Sequence, residues 1–99
     1  MKVLLVCNAG MSTSMLVQKM EASAKEQGID LTITAMPITA AYKEVNDWDV
    51  VMLGPQVRHE LKKLQAASNG TPVEVIDMRA YGMMDGKKVL EAAKAAINK

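Results

Sequence analysis

Short apolar, β-branched runs alternate with segments of helical spacing from one end of this chain to the other. Residues 2–7, Lys-Val-Leu-Leu-Val-Cys, are a continuous run of the kind buried on both faces of a parallel sheet. Asn8-Ala9-Gly10-Met11 breaks that run, and Ser12, Thr13 and Ser14 each offer an N-cap for the helix that follows. In that helix Leu16, Met20 and Ala24 share one face with Val17 beside them, and Gly28 stands where a glycine ends a helix. Leu31, Ile33 and Ala35 then alternate with Thr32, Thr34 and Met36, the pattern of an edge strand, and Pro37 closes it. A short helical turn is expected over residues 40–45 and a buried strand over 49–53. Gly54-Pro55-Gln56 reads as a turn, and Val57, Leu61 and Leu64 follow at helical spacing up to Asn69-Gly70. Residues 72–77 read as a fourth strand, 78–84 as a loop, and Asp85 as the cap of a last helix whose core face is Val89, Leu90, Ala93 and Ile97.

The order is therefore βαβαβαβα. Such an alternation folds as a parallel sheet with right-handed crossovers and helices on both faces. The expectation is a four-stranded parallel sheet in the order 2-1-3-4, flavodoxin-like or small-tyrosine-phosphatase-like, formed by one domain over residues 1–99. In open sheets of this kind ligands bind beyond the carboxyl ends of the strands at a topological switch point. With the first strand central, that point lies just after Cys7.

Charge and composition narrow the chemistry. The formal net charge is +1 with both signs spread along the chain, so the basic footprint of a nucleic-acid binder is missing. Three aromatic residues, Tyr42, Trp48 and Tyr81, give little to stack a base or a flavin on. A single cysteine excludes an internal disulfide, and with a single histidine it excludes any usual zinc cluster; no metal site is expected. The apolar run at residues 3–6 is too short for a signal-peptide core or a membrane span, which points to a cytoplasmic protein with a reduced thiol.

The segment Cys7-Asn8-Ala9-Gly10-Met11-Ser12-Thr13-Ser14 carries the chemistry. A cysteine ends the first strand, a short glycine-containing loop follows, and a helix starts at once. Backbone N–H groups of the loop and first helical turn then line one concavity, a nest for a phosphate or other dianion without side-chain cations. Hydroxyls on Ser12, Thr13 and Ser14 add donors, although each also serves as a plain helix cap, and which of them bind phosphate is left open. A helix start stabilises negative charge by about 0.3–1 kcal/mol at exposed sites, which favours an anionic, nucleophilic sulfur. The competing reading of Cys7 is a buried core cysteine; the glycine loop and the hydroxyl-rich helix start favour function. Gly10 supplies a positive φ, phosphate binding or both.

The layout resembles the phosphate loop of the small tyrosine phosphatases, C-x5-R, but the residue six past Cys7 is Thr13. A clamp on the equatorial oxygens of the transferring group is thereby lost. A phosphatase without it is a poor one, whereas a phosphocysteine carrier must avoid hydrolysis. Asp85 is the one candidate for a phosphatase general acid, and a helix cap explains it as well. No Walker loop and no G-x-G-x-x-G after the first strand are present.

The N-terminal block K-V-L-L-V-C-N-A-G-M-S-T-S-M-L-V is similar to the IIB domains of the lactose/cellobiose (chitobiose) class of the bacterial phosphotransferase system (PTS). So are L-G-P-Q at residues 53–56, V-E-V-I-D at 73–77 and Y-G-x-x-D-G at 81–86, in order along essentially the whole chain. The resemblance implies a sugar-specific phosphocarrier. A histidine-phosphorylated IIA protein docks over the loop and phosphorylates Cys7. The phosphocysteine domain then docks on the cytoplasmic face of a IIC permease and phosphorylates an incoming cellobiose, chitobiose, lactose or similar β-glycoside. No cofactor, metal or nucleotide is implied for this step. The resemblance also implies a free-standing subunit, since the chain has no length for a fused neighbour. A low-molecular-weight phosphatase-like hydrolase is the alternative, and a non-catalytic module of the same fold is the third reading.

Beyond residues 7–14, Gln56 is placed to reach the phosphate or the IIA surface, or simply to make a strand-to-helix turn, and Tyr81 to contact a partner. His59 is expected on the surface with no carboxylate beside it. The nine methionines are mostly core filler, with Met11 in the loop suited to a surface that binds two partners.

Overall fold

The computed structural model describes residues 1–8 and 11–98, with only the backbone of Met11 and Ser12. Strands β1 (Lys2–Cys7), β2 (Thr32–Pro37), β3 (Val50–Leu53) and β4 (Val73–Val75) form one parallel sheet in the order β2-β1-β3-β4. The helices are α1 (Met11–Glu26), α2 (Ile38–Glu44), α3 (Leu61–Ala67), α4 (Met78–Gly82) and α5 (Gly86–Ile97).

The continuous apolar runs place β1 and β3 in the middle, because side chains on both faces of these strands need cover. Val3 and Leu5 of β1 pack with Val50 and Met52 of β3 under α1 and α5, together with Leu16, Met20, Val89, Leu90 and Ala93. Leu4 and Val6 pack with Val51 and Leu53 on the opposite face, against Ala41 of α2 and Leu64 of α3. The period-2 alternation of strand side chains thus feeds two separate apolar layers. β2 lies at the edge, with Thr32 and Thr34 exposed and Ile33 and Ala35 half-buried. Gly28 ends α1 with φ +69°, the left-handed conformation that the sequence position suggested.

Four local expectations are corrected. Helix α1 already begins at Met11, so Ser12, Thr13 and Ser14 stand in its first turn and none is the residue before the helix. Gly54-Pro55-Gln56 does not close as an isolated turn: Pro55 opens a 3-10 segment, Pro55–Glu60, kinked at Val57. The fourth strand is three residues, and Ile76 beyond it turns into the core. Residues 78–84 are not a loop throughout, because α4 forms there with Asp77 as its cap, its carboxylate accepting from the Ala80 N–H at 3.0 Å. Five residues are too few to show a helical period.

Candidate functional site

Cys7 is the last residue of β1, paired with Pro37 of β2 on one side. On the other side the strand after β3 is drawn in, since the Gly54 N–H donates to the Val6 carbonyl at 2.7 Å. The start of α2 and Gly54-Pro55-Gln56 therefore leave the sheet on either side of this cysteine, at the carboxyl ends of the strands that flank β1. This is the switch point of the sheet, where β1 is flanked by β2 and β3 and the chain has left it in both directions.

Cys7 is buried. Its thiol donates to the Met36 carbonyl oxygen over 3.8 Å, a long contact to a weak donor that only the protonated sulfur can make. Asn8 is exposed at the bend after the strand. Ala9 and Gly10, and the side chains of Met11 and Ser12, lie outside the described residues. The helix itself provides no acceptor for the N–H groups of its first turn, residues 11–14, and α1 is the element that follows β1 in the chain. A dianion held there lies at the positive end of a helix of 16 residues.

The three hydroxyls part company. Ser14 is exposed, whereas Thr13 is 1 % exposed and its Oγ1 lies 3.3 Å from the phenol oxygen of Tyr81. Tyr81 comes from α4, 68 residues away in the chain, and is itself 7 % exposed. The side chain read as a partner contact is thus largely interior, with its ring in the α1–α5 layer. Gln56 is exposed, and its amide nitrogen points back to the same phenol oxygen at 3.5 Å. Gly54 makes this possible: a β-carbon on it would stand 3.0 Å from Gln56 Oε1 and 3.6 Å from the Tyr81 ring.

A groove of about 540 Å³ opens beside Gln56 and Tyr81, walled by Pro55, Arg58, His59 and Met78. Met78, Met83 and Met15 are exposed large apolar side chains. His59 is on the surface as expected, but the expectation that no carboxylate stands beside it is corrected: Glu60 Oε2 is 3.6 Å from its Nε2. Glu60 is also its neighbour in the chain, and both belong to the 3-10 segment. The other carboxylate oxygen of Glu60 accepts from the Tyr42 hydroxyl at 2.6 Å. Among the described residues no cluster of three or more His, Cys, Asp or Glu is arranged to hold a metal, and no helix is long and apolar enough to cross a membrane.

The interior role of Tyr81 and the clearance at Gly54 were not visible in the sequence. Their only signal was the Y-G-x-x-D-G and L-G-P-Q blocks, which do not say what they touch.

Residues 2–92 match the family described as PTS system, lactose/cellobiose specific IIB subunit. The chain is 45 % identical over 95 residues to the oligo-β-mannoside-specific EIIB component of Bacillus subtilis (strain 168), covering 93 % of this chain and 91 % of that one. It is 43 % identical over 108 residues to the galactose-specific EIIB component of Lactococcus lactis subsp. cremoris (strain MG1363), covering 97 % and 95 %. Among solved structures, the cellobiose-specific IIB component of Borrelia burgdorferi aligns with a TM-score of 0.81 at 47 % identity, over 99 % of this chain and 92 % of that chain. The lactose-specific IIB domain of Streptococcus pneumoniae aligns with a TM-score of 0.86 at 18 % identity, over 97 % and 96 %, a likeness of fold.

Proposed function

The chain belongs to the lactose/cellobiose-specific IIB subunits of the phosphotransferase system, and on that premise we propose that Cys7 is the residue on which it carries the phosphoryl group. As a IIB component it is a phosphotransferase of sugar uptake, and such components work with IIA and IIC partners. The observation that supports Cys7 is its position: the one cysteine of the chain ends the central strand where a helix N-terminus begins.

The chemistry follows from that position. The Cys7 sulfur, freed of its proton, attacks the phosphorus of a phosphohistidine on the IIA partner. The S–P bond forms, the P–N bond breaks, and the imidazole leaves and takes up a proton. Backbone N–H groups of residues 8–14 hold the equatorial oxygens, with Ser12, Thr13 and Ser14 as hydroxyl donors. At the IIC partner a sugar hydroxyl oxygen attacks the same phosphorus, the S–P bond breaks, and the sulfur leaves as thiolate while the hydroxyl proton passes to solvent or a neighbouring base. The protein performs this second step at the inner face of the membrane, reached through IIC. Gln56 and the exposed Met78 belong to the docking face, because they line one groove beside the segment that leaves β3 next to Cys7.

The sugar is a β-glycoside of the cellobiose, chitobiose or lactose type. Relatives named for oligo-β-mannoside, galactose and cellobiose stand at 45 %, 43 % and 42 % identity, too close together for identity to choose among them. The phosphatase-like alternative is not favoured: position 13 carries threonine, and that threonine is buried against Tyr81.

The test is mass spectrometry of the intact protein and its peptides after incubation with phosphoenolpyruvate, the general phosphorelay proteins and a IIA protein of this class. One added phosphoryl group on Cys7, lost when IIA is omitted, is the expected result. Phosphate release from an aryl phosphate with no label from any IIA would move the protein to the hydrolases.

A further inference from the structure

One phenol oxygen joins three of the segments that emerge at the carboxyl edge of the sheet. Tyr81 belongs to α4, after β4; Thr13 to the first turn of α1, after β1; and Gln56 to the segment after β3. Thr13 Oγ1 is 3.3 Å from Tyr81 Oη, and Gln56 Nε2 donates to the same Oη at 3.5 Å. Both hydroxyls are buried, so their pairing is shielded from exchange with water. Asp77 caps the helix that carries Tyr81, and the ring packs in the apolar layer, so the phenol is held from behind.

We propose that Tyr81 is a positioning residue for phosphoryl transfer at Cys7, its hydroxyl fixing the first turn of α1 through Thr13 and the carboxamide of Gln56 at the mouth of the site. This rests on the reading that Cys7 carries the phosphoryl group. The physical reason is geometric. The N–H groups of the first turn of α1 serve a transferring phosphoryl group only if they point at it from the right distance, and small misplacements cost rate. A short segment joins β1 to α1, and in the turn it leads to Thr13 is a buried side chain that reaches across to another element. The Thr13 hydroxyl both donates and accepts. When Tyr81 donates to it, the threonine proton is available to an oxygen of the phosphoryl group. Gln56, by donating to the phenol oxygen, favours that direction of donation.

The experiment measures the rate of phosphoryl transfer from a phosphorylated IIA protein of this class to Cys7, by rapid quench and mass spectrometry, over a range of IIA concentrations. Wild type is compared with Tyr81→Phe, Thr13→Val, Thr13→Ser and the Tyr81→Phe/Thr13→Val double variant. Tyr81→Phe keeps the ring and its packing. The expected result is a saturated rate about fivefold lower in Tyr81→Phe and in Thr13→Val. The half-saturating IIA concentration stays unchanged, and the double variant is no slower than the slower single. Thr13→Ser, which keeps the hydroxyl, returns to the wild-type rate. An unimpaired Tyr81→Phe overturns the proposal, as does a loss confined to the half-saturating concentration, which would make Tyr81 a contact residue. Losses that multiply in the double variant also overturn it. Should Tyr81→Phe not fold, the threonine pair decides: Thr13→Ser as slow as Thr13→Val overturns it. A wild type that takes no phosphoryl group from any IIA overturns the underlying reading and this inference with it, whereas a labelled wild type with an equally fast Tyr81→Phe overturns the inference alone.

Discussion

Glu60 and Tyr42 show how two surface residues become sensitive to acid and to alkali. The hydrogen bond from the Tyr42 hydroxyl, with smaller help from the charges of Lys63 and His59, holds the Glu60 carboxyl below its ordinary value of 4.5, against a burial effect of opposite sign. The same bond to Glu60, then burial, then the Glu60 charge, hold the Tyr42 phenol above its ordinary value of 10.0. The signs give a window. A depressed carboxyl contributes stability that is complete above its unfolded value and fades as pH falls through the lowered folded one. A raised phenol contributes stability that is complete below its unfolded value and fades as pH rises through the raised folded one. The bond therefore ties α2 to the segment before α3 across the neutral range and is lost at both ends. Urea unfolding of wild type and Tyr42→Phe should show a wild-type advantage at pH 7 that shrinks as pH falls below the ordinary carboxyl value of 4.5 and as it rises above the ordinary phenol value of 10.0. An advantage constant over that whole span would mean that the ring edge, and not the hydroxyl, supplies the stability.

At the scale of elements, α5 comes very close to α1 at Gly86. A β-carbon on Gly86 would stand 2.5 Å from the Lys19 carbonyl carbon and 2.7 Å from Met20 N. These are backbone atoms, which cannot swing aside as a side-chain tip can. Gly86 is the first residue of α5, so its missing side chain sets how deeply that helix seats Val89, Leu90 and Ala93 against α1. Gly86→Ala should cost about 1–3 kcal/mol by forcing the two helices apart. Gly82→Ala is the control, since nothing lies within 4 Å of a β-carbon there. Denaturant midpoints check both, and equal stability of the two variants would sink the close-packing account. α1 also carries the first-turn N–H groups, so its seat on α5 places the candidate site as well as the core.

For the whole molecule, sheet order decides where stability lies. β1 is bonded along both edges and supplies side chains to both apolar layers, and β3 is likewise flanked by β1 and β4. β4 has three residues and a partner on one side only. Amide exchange should accordingly be slowest in β1 and β3 and about tenfold or more faster in β4. β4 protection equal to that of β1 would show that something other than strand pairing sets the opening energies. Cys7 ends a strand supported on both edges, so the proposed phosphoryl acceptor stands on the rigid part of the fold.

Much of this was legible in the amino-acid sequence. The continuous run of residues 2–7 and the alternation in 31–36 distinguish a central strand from an edge strand, because burial on one or two faces is written into neighbouring residues. Cys7, the break after it and the helix start are also local, and so is the order of the elements. The rest depends on which distant residues meet. Thr13 and Tyr81 are 68 residues apart, and nothing in either neighbourhood names the other. The α4 helix is too short to have a period, and it forms because Asp77 caps it and Ala80 and Tyr81 are buried. Gly86 reads as an ordinary glycine beside a cap until α5 is laid across Lys19. Periodicity reports which face of an element is apolar; only packing decides what that face touches, and the buried hydroxyl pair behind the site belongs to that second kind of information.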